Sequence, residues 1–324
     1  MIIMEFYEGQ GLGNQLWVYV VCRSIAEQLH MKYKVIHPEK FKGKSFIEID
    51  FGADESLNLN EVTLFNEETY FDPNLDYFSS DFDKRVLNLK ENTKIHGLFQ
   101  SEQYFFGDIA RLKKYLQIKQ EFIQANDVDD QTCVIYIRGG EYKRHGNLIL
   151  PKSYWLNAMA NIERLYGINK FVAVSDDDNY VRAMFPDIKI LPGGMEQDYI
   201  ALMQAKYIIL ANSSWGYFPT KTGADKICVI APKYWARFNN SFKRWASPAN
   251  LYESWLWQDN TGNLYKYDDC LEDANKTLEF YKIHYSVRST YDQMQKKHLR
   301  RFLPPVFRKY LKKWLSLIFP KRIG

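Results

Sequence analysis

The chain has 324 residues, of which 46% are hydrophobic and 25% charged, and a net charge of +4. That is ordinary globular composition with chain enough for about two domains. Cys22, Cys133, Cys228 and Cys270 stand at no metal-ligand spacing and mostly in apolar segments, which excludes a disulfide framework and a structural zinc site. The net charge conceals an asymmetry: from Lys296 to Gly324 there are ten basic residues and no acidic one, so the body before them is net negative.

The chain opens on Met-Ile-Ile-Met-Glu-Phe, without a basic n-region, and nowhere runs to the roughly 20 consecutive apolar residues that span a bilayer. The reading is a protein that is neither exported by a signal peptide nor integral to the membrane. Residues 2–6 read as a first strand. A glycine-rich turn follows, Gly9-Gln10-Gly11-Leu12-Gly13-Asn14-Gln15, and then a helix with Trp17, Val21, Ile25 and Leu29 on one face. Strand, turn and helix together suggest a nucleotide-binding α/β unit. The turn is not a Walker loop, because no Lys-Ser/Thr follows it, and it lacks the third glycine of a dinucleotide fingerprint. From about 35 to 95 periodicity is weak, and loops with short elements are expected.

From about 130 apolar runs alternate with helical stretches. The runs are Thr132–Ile137, Lys170–Val174, Tyr207–Ala211 and Ile227–Ala231. One helix starts at Tyr154 and stops at Gly167, and another covers Asp198 to Lys206. This alternation implies a buried parallel sheet. Ligands of such sheets bind beyond the carboxyl ends of the strands. There the sequence places Arg138-Gly139-Gly140-Glu141-Tyr142, then Ser175-Asp176-Asp177-Asp178, then Asn212-Ser213-Ser214. One fixed cation, carboxylates, small hydroxyls and glycine-flanked amides suit a nucleoside diphosphate. The aspartates also read as a helix N-cap cluster, Asp178 most readily, or as a metal-binding D-x-D, which lacks a second carboxylate cluster to support it.

Five segments, in order, resemble the motifs of the α-1,2-fucosyltransferases of glycosyltransferase family 11. They are Gly11-Leu12-Gly13-Asn14-Gln15, the run His96 to Phe105, Tyr136 to Tyr142, Val174 to Asp177, and Asp198 to Met203 followed by Ile209 to Ser214. The resemblance implies an α/β fold of two Rossmann-like domains facing a cleft (GT-B type). It implies an inverting transfer of fucose from GDP-fucose to a galactose hydroxyl, with no metal and no cofactor beyond the donor, in a bacterial protein. By the same resemblance Arg138 binds the β-phosphate and stabilises departing GDP. Tyr136, Asp177 and, less directly, Asp176 lie at the base, Ser213 and Ser214 at the phosphates. Asn14 and the Gly11 and Gly13 backbone approach from the other domain. Tyr136, Gly139 and Glu141 replace the motif's histidine, second arginine and aspartate, which leaves another GDP-sugar or 6-deoxyhexose donor open. Glu141 and Glu102 are both candidates for the general base.

The expected domains are 1–126 (acceptor side), 127–295 (nucleotide-sugar side) and a tail, 296–324. In the tail Phe307, Leu311, Trp314, Leu315 and Ile318 share one helical face and Arg308, Lys309, Lys312 and Lys313 the other. Residues 305–319 are thus expected to lie as a basic amphipathic helix on an anionic membrane, placing the protein peripherally on the inner face of the cytoplasmic membrane near a lipid-linked glycan acceptor. No nucleic-acid partner is expected. A rival from another class is an inactive nucleotide-sugar-binding scaffold in a polysaccharide assembly complex.

Overall fold

A computed structural model describes residues 1–58, 61–123 and 128–289. The expected amphipathic helix at 305–319 and the boundary at 126/127 fall outside these residues. The fold is α/β, built on two parallel sheets. In the first, the strand order is Tyr33–Ile36, Ile2–Glu5, Thr93–His96, Thr63–Asn66, all parallel. In the second it is Lys189–Ile190, Lys170–Ser175, Thr132–Ile137, Tyr207–Leu210, Cys228–Pro232, Leu256–Gln258, with Leu264–Tyr265 antiparallel at the edge.

The apolar runs of the second half become strands because each is buried on both faces. All six residues of Thr132–Ile137 are buried, as are all four of Tyr207–Leu210. The chain leaves Thr132–Ile137 toward one edge of the sheet, then returns to Tyr207–Leu210 and proceeds toward the other. The carboxyl ends of these two adjacent strands therefore border the topological switch point, where such sheets hold ligands. The first sheet has its own switch between Ile2–Glu5 and Thr93–His96. The glycine-rich turn and the His96–Phe105 segment emerge there.

The stretch read as loops with short elements does hold short elements, most of them strands paired in sheets. Two of its strands, Thr63–Asn66 and Thr93–His96, complete the first parallel sheet. Two others, Glu68–Asp72 and Tyr77–Ser80, form an antiparallel sheet with Val287–Ser289. Thr63–Asn66 is an edge strand, half exposed and with no apolar alternation, so its sequence carries little signal. The pairing of Val287–Ser289 with Glu68–Asp72 also returns the end of the described chain to its first half.

The helix Leu12–Gln28 is buried around most of its circumference, so its sequence is apolar on more than one face. It lies at the junction of the two halves. Trp17, fully buried, has its ring centroid 5.7 Å from Phe105, 4.4 Å from Tyr217, 5.2 Å from Phe218 and 5.8 Å from Tyr252. The halves share one continuous core here. No helix among the described residues is long and apolar enough to cross a membrane.

Candidate functional site

The last residue of Thr132–Ile137 delivers Arg138 to the switch point. Its Nη1 forms an ion pair with Asp176 Oδ2 at 2.9 Å, and the Gly139 N–H donates to Asp176 Oδ1, also at 2.9 Å. Asp176 thus holds the Arg138 guanidinium and the following peptide in one bidentate grip. Arg138 also lies over the Tyr142 ring, 5.0 Å from its centroid, and its Nε is buried with no partner. An orphaned buried donor on a guanidinium is costly unless an acceptor arrives.

The glycine pair after Arg138 serves these carboxylates. A Cβ on Gly139 would stand 2.7 Å from Asp177 Cβ, and one on Gly140, whose φ is +23°, would run into Asp176 Oδ2. Asp177, rather than Asp178, caps the helix Asp178–Met184 by accepting from the Tyr180 N–H at 3.1 Å. Its other oxygen pairs with Lys143. The hydrogen bond and charge of Lys143 hold the Asp177 carboxyl below its ordinary range. Asp176 and Asp177 are therefore each committed to a cation of this chain. Lys143, which sequence reasoning passed over, pairs with the same Asp177 that a side chain on Gly139 would meet.

Beyond this pair the site turns acidic. Asp198, in the first turn of the helix Met195–Gln204, is pushed up to about 7 by burial and then by the charges of Asp178, Asp176 and Glu196. On the other side of Arg138, Tyr136 is buried, its hydroxyl donating to Ser213 Oγ at 3.4 Å and its ring 4.9 Å from that of Trp215. Burial raises the Tyr136 hydroxyl well above its ordinary range. Asn212 is buried with neither its side-chain oxygen nor its nitrogen partnered.

The first half meets this site through the glycine-rich turn. Asn14 Oδ1 accepts from Gln100 Nε2 at 2.9 Å and from Ser214 Oγ at 3.0 Å. Gly13 touches no open space: a Cβ there would stand 2.7 Å from the Ser214 carbonyl carbon and from the Trp215 Cα. Gly13, Asn14 and Ser214 leave no gap between the two halves at this point. They pack directly on one another because glycine lets two backbones meet. Gly11, the residue preceding the helix, faces free space, and a Cβ there would have no atom within 4 Å.

Of the two base candidates, Glu102 is taken up structurally. It accepts from the Tyr217 hydroxyl at 2.8 Å and from the Glu253 N–H at 2.9 Å, and it pairs with Lys221 at 2.8 Å. Glu141 is exposed, and no hydrogen bond or ion pair to its carboxylate occurs among the described residues. Glu67 carries a role that no sequence signal marked. Fully buried, it accepts from the Leu98 N–H at 2.7 Å and the Phe99 N–H at 3.0 Å, pinning the turn before Gln100, where Phe99 has φ +51°.

No family model and no curated protein matches the chain. Among solved structures, a NodZ α-1,6-fucosyltransferase soaked with GDP-fucose is 12% identical over 68% of this chain and 92% of its own, with a TM-score of 0.38. The same enzyme co-crystallised with GDP is 12% identical over 82% and 97%, with a TM-score of 0.41. Fucosyltransferase NodZ from Bradyrhizobium is 12% identical over 67% and 91%, with a TM-score of 0.40. The fold class of this chain rests on its own strand order, and its resemblance to family 11 on the motifs.

Proposed function

We propose that the protein is an inverting glycosyltransferase using a nucleotide-diphosphate sugar, with GDP-fucose as donor and a galactose hydroxyl of a surface glycan or its lipid-linked precursor as acceptor, in an α-1,2 linkage. The observation that carries this is Arg138: a guanidinium at the switch point, oriented through one nitrogen by Asp176, with a buried Nε awaiting an acceptor. A diphosphate is the ligand whose geometry and charge answer that fork. Lys143 supplies the second cation. The carboxyl of Asp198, when ionised, is an acceptor that can meet the N–H donors on the edge of a guanine base.

In the reaction the acceptor oxygen attacks the anomeric carbon as the bond from that carbon to the diphosphate oxygen breaks. Negative charge grows on the departing diphosphate, and Arg138 stabilises it where it develops. The acceptor hydroxyl proton passes to a base, for which Glu141 is the uncommitted carboxylate beside Arg138. The sequence of 305–319 supports a peripheral seat on an anionic membrane surface, where such an acceptor resides.

The test is nucleotide release from a panel of nucleotide sugars with galactose-terminated acceptors, comparing the native protein with Arg138→Ala. Acceptor-dependent release from GDP-fucose, lost in the variant, is expected. Turnover of a different donor would replace GDP-fucose and keep the chemistry. Undiminished turnover by Arg138→Ala would overturn the site.

A further inference from the structure

Beyond the end of the Cys228–Pro232 strand, the described residues line an open cavity of about 350 Å³. Its walls are the turn at Asn74 and Leu75, the loop 146–151 that continues from Gly140–Arg144, and the loop 237–242 that follows Cys228–Pro232. Both of the latter loops leave the carboxyl end of the second sheet, as Arg138 does. Two of the walls are tied by a buried ion pair. Arg244 Nη2 lies 3.1 Å from Asp72 Oδ2, while Asp72 Oδ1 accepts from the Asn74 N–H at 2.8 Å.

The chemistry of the lining is distinctive. Its one charged side chain, Arg237, is fully committed: Nε donates to the Leu75 carbonyl at 2.5 Å, Nη1 to Ala236 at 2.7 Å and Nη2 to Asp76 at 2.8 Å. Asn240 is likewise used within its own loop, donating to the Arg237 and Arg244 carbonyls. What faces the cavity unengaged is neutral: the side chains of Asn147, Asn239 and Ser241 make no hydrogen bond among the described residues. Beside them are Phe238 and Phe242, the latter 50% exposed and held over the Arg244 guanidinium at 4.8 Å. Amides present a donor and an acceptor side by side, which matches neighbouring ring hydroxyls, and an aromatic face takes the C–H side of the same ring. No anion and no cation is provided for. The backbone within and around this loop is strained, with positive φ of 50° to 66° at Tyr234, Trp235, Asn239 and Lys243, of which Asn239 lines the cavity. Such strain collects where a loop is shaped for a ligand.

The cavity and the crevice are linked through the chain: Tyr142, under the Arg138 guanidinium, and Asn147, on the cavity wall, belong to one continuous segment, and Arg237 lies over Tyr77. We propose that this cavity is the acceptor subsite and binds the terminal neutral pyranose of the glycan, an inference that rests on the donor reading of the Arg138 crevice.

The experiment uses the full chain loaded with GDP and a panel of neutral disaccharides ending in galactose, glucose or N-acetylglucosamine. Saturation-transfer NMR detects the bound sugar, and initial rates give separate KM values for donor and acceptor. Phe242→Ala, and Asn147→Ala combined with Ser241→Ala, alter exposed side chains and are expected to fold. Each is expected to raise the acceptor KM roughly tenfold while the donor KM moves less than about twofold, with the sugar's saturation signal falling in parallel. Unchanged saturation signals in both variants overturn the proposal. So does a native protein to which no disaccharide of the panel binds. GDP affinity lost in Arg138→Ala but untouched by the cavity variants, with sugar binding also untouched, keeps the donor site and rejects this one.

Discussion

Asn14 and Ser214 lie 200 positions apart in the chain and share a hydrogen bond of 3.0 Å. The same Asn14 oxygen accepts from Gln100, so the carboxyl ends of both parallel sheets are joined at a single amide. The two Rossmann-like halves therefore meet as a fixed seam at this point, and the crevice proposed to hold the donor lies beside the seam, around Arg138. Coupling between the two residues is expected from this geometry. A double-mutant cycle of Asn14→Ala and Ser214→Ala, read by chemical denaturation, should give an interaction energy of about 0.5–1.5 kcal/mol. Strict additivity would mean that the seam does not pass through this bond.

The aromatic junction behind that bond carries much more. Trp17 is fully buried against Phe105, Tyr217, Phe218 and Tyr252. Trp17→Ala is expected to cost about 3–5 kcal/mol, and because one core spans both halves, to melt them in one transition. Two separated transitions in calorimetry would show that the halves hold independent cores.

Gly139 stands where the family 11 motif that this segment resembles has its second arginine. A side chain there meets the Asp177 Cβ at 2.7 Å. Restoring the motif with Gly139→Arg is therefore expected to weaken the protein by about 1–3 kcal/mol rather than tighten GDP binding. Lys143→Ala, by contrast, should leave the backbone intact and weaken GDP binding, since Lys143 is the nearby second cation. Thermal melts with and without GDP separate the two effects. Tighter GDP binding by Gly139→Arg would show that the site can open around it.

Much of this was legible in the sequence, and the reasons differ by element. The central strands were readable because burial on both faces makes them continuous apolar runs, and Gly167 marked a helix end by its left-handed conformation, φ +71°. The strands between 60 and 96 were not readable, since Thr63–Asn66 is half exposed and its pairing comes entirely from tertiary contact. Arg138, Asp176 and Asp177 were found by their place at strand ends, but their mutual pairing was not. Asp177 serves as cap and ion-pair partner at once, and Lys143 lies in an exposed short helix with no pattern to single it out. Glu67 gave no signal either, because a lone glutamate after an edge strand looks like a solvated one.

Glu67 sets the pH dependence. Burial pushes its carboxyl up to about 7, against the opposing effect of the Phe99 and Leu98 N–H bonds, with Asp83 adding to the rise and the Tyr104 hydroxyl opposing it. Its ordinary value is 4.5. The folded protein thus holds this proton more tightly than the unfolded chain does. The stabilising effect of that proton is complete below about pH 4.5 and is lost as the pH rises to about 7, a change of roughly 3 kcal/mol. Glu67→Gln removes the titration. It keeps a carbonyl oxygen at the Oε2 position for both N–H groups but brings an amide N–H₂ to the Oε1 position, where the Tyr104 hydroxyl donates at 3.4 Å and the Phe99 N–H at 3.2 Å, so it is expected to be less stable than the native protein at low pH. Its stability should fall less steeply between pH 5 and about 7. Denaturation midpoints across that range test this directly: parallel pH profiles for the native protein and the variant would show that Glu67 is already ionised throughout, and that the turn carrying Gln100 is held by a carboxylate at every pH.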